Sequence, residues 1–153
     1  MDWNWDAISA ISSVLGGLGV VISVIFLVYE VRRNAQAIEG ATVQNLMTLE
    51  HSVFTTLADN ADLFARGRRD RAALSEEDTF RFDRLSSSYM SLSYSAFIQH
   101  QEDLIDDETW DAYVNAVRTY MAHPGFAQSW DQFKVGYPTS FRTLIDTLCR
   151  TPG

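Results

Sequence analysis

The side chains able to do chemistry are few and dispersed. His51, His100 and His123 stand far apart, and none lies four residues from another histidine or from a cysteine, the spacing that sets two ligands on one helix face. A zinc centre is therefore not expected. His100 with Glu102, Asp103 and Asp106 could offer metal ligands, but the stretch has the composition of a solvated helix end. The acidic run Glu102, Asp103, Asp106, Asp107, Glu108 and Asp111 lacks the alternating ligands and central glycine of a calcium loop, and Leu104-Ile105 interrupts it. Helix capping is its expected role, with a surface for a basic partner as the alternative. Arg66, Arg68, Arg69 and Arg71 form the one concentrated positive group beyond Arg32 and Arg33. They read as a solvated turn, or as a contact for anionic lipid headgroups.

Trp110, Tyr113, Tyr120, Phe126, Trp130 and Phe133 could line a ligand pocket, yet their helical spacing makes them core residues first. Cys149 is the sole cysteine, so no internal disulfide can form, and its apolar neighbourhood suits a small buried hydrophobe. Glycine-rich phosphate loops, a Gly-x-Ser-x-Gly elbow and a paired histidine and carboxylate for nucleophile activation do not occur. No catalytic, cofactor-binding or metal-binding residue is assigned, and no cofactor is expected.

Charge narrows the partners. Formal net charge is -8, and from Asn34 onward 10 basic side chains face 17 acidic ones. Nucleic-acid phosphates would be repelled, because binding them requires Lys and Arg to displace counterions. Lys134 is the only lysine, so any anion site must be built from arginine.

The elements that must hold these residues begin with an apolar stretch. Ala7 to Tyr29 carries no charge over 23 residues, and at about 1.5 Å per residue it covers the roughly 30 Å hydrocarbon layer of a bilayer. Trp3 and Trp5 precede it and Tyr29 closes it, where amphipathic rings favour the headgroup zone. A cleavable leader would need a positive start and a shorter apolar core. Asp2 and Asp6 precede the stretch while Arg32 and Arg33 follow it. The expectation is a single membrane span, N-terminus outside and the remainder cytoplasmic. Glu30, at the inner boundary, would be satisfied by water or by the arginines.

Two stripes run along this span. Ser9, Ser12, Gly16, Gly19 and Ser23 recur at intervals of three and four, a seam along which helix backbones can approach closely. Val14, Gly17, Val21, Val24, Val28 and Val31 repeat the rhythm two residues later, on nearly the opposite side. Together they predict a homo-oligomer. The second stripe continues through Ala35, Ile38, Thr42, Leu46, Leu49 and Val53, with Arg33, Glu39 and Glu50 elsewhere on the surface, so one helix should extend to about Leu57. Gly40 weakens it by up to about 1 kcal/mol without stopping it.

Beyond Asp59-Asn60, Ala61 to Ala65 read as a short turn. Ser75 before Glu76, Glu77 and Asp78 should cap a helix running to about Leu104. Asp107 should cap the next, carrying Trp110, Tyr113, Val114, Val117 and Met121 until His123-Pro124-Gly125 breaks it. Phe126, Trp130 and Phe133 mark a short helix ended by Gly136-Tyr-Pro138, and Thr139 or Ser140 starts the last, with Phe141, Leu144, Ile145 and Leu148. The fold class is all-α: a membrane anchor over 1–33, a juxtamembrane helix over 34–58 and a small antiparallel helical domain over 59–153.

Phe26-Leu-Val-Tyr-Glu-Val-Arg-Arg-Asn34, Thr42-Val-Gln44, Asn60-Ala-Asp-Leu63, Leu74-Ser-Glu-Glu77, and Pro124-Gly125 with Trp130 carry a resemblance. The chain resembles small proteobacterial membrane proteins with one N-terminal transmembrane helix and a helical domain of unknown function. The resemblance implies a bacterial inner membrane and transfers no residue roles. The expected function is that of a self-associating adaptor, assembly or regulatory protein without catalytic activity, in contact with the lipid bilayer and open to a protein partner. Two alternatives stand beside it. One is a transport or channel component made by a ring of spans. The other is a membrane-tethered enzyme or small-ligand sensor, with a polar-lined cavity near Trp110 and Trp130.

Overall fold

The computed structural model describes residues 5–150, with side chains described for residues 17–148. Among these the chain is all-helical and contains no strand. Six α-helices follow in order: α1 (Trp5–Asp59), α2 (Ala61–Arg69), α3 (Glu76–Gln101), α4 (Asp107–Met121), α5 (Pro124–Phe133) and α6 (Thr139–Arg150), with 3₁₀ turns at Arg71–Ala73 and Lys134–Gly136. The chain divides into two compact units, Met1–Gly40 and Ala41–Gly153.

In the first unit, the apolar side chains from Leu18 to Val31 are 48 to 66% exposed. Among the described residues no helix is long and apolar enough to cross a membrane. Residues 7–16 of the expected span lie outside those with described side chains, and Gly17 to Tyr29 alone would cover only about 20 Å. Trp3, and the side chains of Trp5, Ser9, Ser12, Val14, Gly16 and Cys149, also lie outside the described residues.

Local chemistry sets the helix limits in the second unit. Ser75 Oγ accepts the Asp78 amide at 3.1 Å and three acids occupy the first turn of α3, satisfying an orphan donor and complementing the helix dipole. The cap of α4 is Asp106 and not Asp107: its Oδ1 accepts the Thr109 amide at 2.7 Å. That hydrogen bonding holds the Asp106 carboxyl below its ordinary value. Pro124 occupies the first turn of α5, where its missing N–H costs nothing.

Two limits differ from the sequence reading. Helix α3 stops at Gln101 and not near Leu104, because Asp103 turns to φ 55°. The Leu104 amide then reaches the Gln99 carbonyl at 2.8 Å and the Asp103 amide reaches the His100 carbonyl at 3.1 Å. This is a Schellman closure with aspartate in the left-handed position that glycine prefers. Asp103→Gly should raise stability by about 0.5 to 1 kcal/mol in urea unfolding, since the Cβ strain of the left-handed position disappears.

The second difference is α2, whose first half was expected to be a turn. A nine-residue helix is marginal alone. This one is held by burying Leu63, Phe64 and Gly67. Arg66, far from solvating a turn, bonds Asp62 at 3.1 Å and Asp78 at 3.3 Å.

The principal core joins α2, α3, α4, α5 and α6 with the last turn of α1. Phe82, Phe126, Trp130, Phe141 and Ile145 are essentially inaccessible, and ring pairs such as Phe64–Phe82 at 5.7 Å and Tyr89–Phe126 at 5.9 Å knit the helices together. A smaller cluster sets Leu46 of α1 against Ala96 and Ile105, with Val43, Trp110 and Tyr113 around it.

Candidate functional site

The site begins with the register of α1 after Ala41. Val43, Leu46, Glu50, Val53 and Leu57 follow at intervals of three and four, and Leu46 and Leu57 are buried. The stripe read from the sequence passed through Leu49 instead. Leu49 is 48% exposed, and Glu50 is the residue that turns inward. Tertiary packing decides this: the Tyr113 hydroxyl of α4 donates to Glu50 Oε2 at 3.4 Å. The periodic signal is present in the sequence, since Glu50 lies four residues after Leu46 and three before Val53, but a carboxylate read along one helix alone belongs to the surface.

Around this pair α1, α3 and α4 line an open-sided cavity of about 410 Å³, within the range of sites that hold small organic molecules. Leu46 and Phe54 line one side, Tyr89 and Leu92 the floor, and Tyr113 and Ala116 the other side. Its lining includes three carboxylates, Glu50, Asp106 and Glu108, and no Lys or Arg. Asp106 is engaged in capping α4, which leaves half-buried Glu50 as the carboxylate deepest among the aromatic groups. Burial, followed by the negative charge of Glu50, pushes the Tyr113 hydroxyl up to about 12. Tyr89, 2% exposed, is likewise raised, by burial first and then by the charged and phenolic groups around it. The shifts move both phenols further from ionisation, and the Tyr113 hydroxyl is held as a hydrogen-bond donor to Glu50.

A second polar constellation lies in the wall between α3 and α5. Arg71 grips Asp83 through Nε–Oδ1 at 2.8 Å and Nη2–Oδ2 at 2.6 Å, while buried Ser129 donates to Asp83 Oδ1 at 2.7 Å. Burial alone would raise the Asp83 carboxyl. The hydrogen bonds from Arg71 and Ser129, with the charges of Arg71 and Arg84, outweigh it and leave the group below its ordinary value. Of the four clustered arginines, Arg71 is thus committed to a part-buried aspartate, while Arg66 pairs at the surface with Asp62 and Asp78.

The other candidates separate. His100 stacks on Trp110 at 5.2 Å and its Nε2 meets Asp107 Oδ1 at 3.0 Å. Among the described residues no three His, Cys, Asp or Glu side chains converge as a metal site would require. The aromatic set divides: Phe126 and Trp130 fill the principal core and Phe133 packs beside them, Trp110 flanks the smaller cluster, and Tyr113 reaches the cavity. On the first unit Val21, Val24 and Val28 are exposed, as are Tyr29, Arg32 and Arg33. A methyl group added at Gly19 would touch nothing within 4 Å, and the Ser23 hydroxyl donates to the Gly19 carbonyl at 2.8 Å.

Compared with known proteins, the chain matches no family model, no curated protein and no solved structure.

Proposed function

We propose that the chain is a membrane-anchored, self-associating helical protein of the bacterial inner membrane, acting as an adaptor, assembly or regulatory component without catalytic chemistry. One observation carries the reading: from Leu18 to Val28 apolar side chains are exposed on every side of α1. A helix packed against a soluble core buries one stripe and wets the other. One that is apolar around its whole circumference calls for an apolar surrounding, and with Ala7 to Gly16 added the stretch reaches about 34 Å, enough for a bilayer.

The polar groups along it fit that surrounding. Ser23 spends its hydroxyl on the backbone of the preceding turn, so it enters lipid without an unmet donor. Gly17 and Gly19 leave open surface where a second helix backbone can approach. Arg32 and Arg33 support placing the following unit on the cytoplasmic side.

Anchoring is tested by washing membranes of expressing cells at alkaline pH: the protein is expected to stay in the pellet, and full release to the supernatant would remove the anchor. Association is tested separately. Replacing Gly16 and Gly19 together by leucine should lower the oligomer mass measured by light scattering in nanodiscs, and an unchanged mass would sink the small-residue seam as the cause.

A further inference from the structure

The geometry points to a binding site for a small organic cation in the cavity between α1, α3 and α4: a protonated or quaternary ammonium group, or a similar centre, carried on an apolar or aromatic body. Every residue in the argument belongs to the unit Ala41–Gly153, so it stands apart from membrane anchoring.

Size, surface and charge agree on this occupant. About 410 Å³ suits a molecule of drug-like dimensions. Leu46, Leu92 and Phe54 would take an apolar body, and the exposed ring of Phe54 and the half-buried ring of Tyr113 offer π-faces to a positive centre. The charged lining side chains are all acidic, so an anion entering the cavity would meet repulsion and no counter-charge. Glu50 is the anchor. Its Oε2 takes only the long bond from Tyr113, and a half-buried carboxylate attracts a cation more strongly than one in bulk water. A neutral apolar molecule would leave this carboxylate without a counter-charge, which gives the site its selectivity.

The test uses the intact chain in zwitterionic lipid nanodiscs, titrated by calorimetry with empty discs as the blank. Tetraphenylphosphonium serves as the cation, and tetraphenylborate, of nearly the same shape and opposite charge, as its control. Phenylpropyltrimethylammonium and the neutral 3,3-dimethylbutyl analogue repeat the comparison with a slimmer body. At least one cation should bind tenfold or more tightly than its control, and Glu50→Gln should weaken that cation at least tenfold. Should Glu50→Gln fail to fold, Ala116→Leu fills the cavity from α4 and should abolish cation binding. Equal affinity for cation and control, no change in these variants, or binding by none of the probes would overturn the assignment.

Discussion

Gly125→Ala is expected to destabilise the second unit by about 3 kcal/mol or more, at the upper end of overpacking effects. A Cβ at Gly125 would lie 1.8 Å from the carbonyl oxygen of Gly67. That neighbour is backbone inside α2 and cannot rotate away, so α2 and α5 would have to separate. Behind the crossing the Phe82 ring lies where a Cβ of Gly67 would be, 2.4 Å from that position. Movement there opens the packing of Phe64, Phe82 and Phe126. Thermal unfolding should show a midpoint lower by roughly 10 °C. Gly136→Ala is the control: its Cβ meets nothing within 4 Å, and stability should stay within about 0.5 kcal/mol. Equal effects at the two glycines would show that the crossing is not close.

Asp83→Ala should cost about 2 to 3 kcal/mol in urea unfolding. It strands the guanidinium of Arg71, whose side chain is 20% exposed, and the hydroxyl of Ser129, which is fully buried. Adding Arg71→Ala to it should cost less than the sum of the single changes, because the second removes a charge the first left unpaired. Asp83→Asn separates charge from shape. The folded carboxyl titrates below its ordinary value of 3.8. Its contribution is therefore complete above that value and is lost as pH falls through the lower, folded one. The advantage of the native chain over Asp83→Asn should be constant from about pH 8 to 5 and shrink below about pH 4. A gap that persisted unchanged to pH 2 would mean that the ionised carboxylate is not what the site needs.

These two positions show different degrees of legibility. The arginine cluster containing Arg71 stood out in the sequence, but its partner did not. Asp83 lies twelve residues away on another helix, and charge spacing along a single helix brings neighbours together only at three or four residues. Gly67 and Gly125 are 58 positions apart, and each alone reads as part of a turn, one in the polar arginine run and the other in the His123-Pro124-Gly125 break. Their meaning comes from the crossing that brings them together. Glu50 was visible as periodic with Leu46 and Val53, but its polarity argued for the outside until Tyr113 supplied a partner.

What the sequence settled by itself were the features governed by bonds within a few residues. The serine before three acids starts α3, the His123-Pro124-Gly125 break follows the end of α4, the threonine after Pro138 starts α6, and apolar residues repeating every three or four positions make the chain helical. Only the tertiary structure decided that Ala61–Arg69 is a helix, which face of α1 turns inward, that two arginines are bound to aspartates, and where a cavity remains. Local hydrogen bonds and dihedral preferences act over a single turn and leave their mark in adjacent letters. The burial of a face, the pairing of a charge and the closeness of two backbones are energies shared with a distant partner, and they acquire a value only when the chain has folded around it.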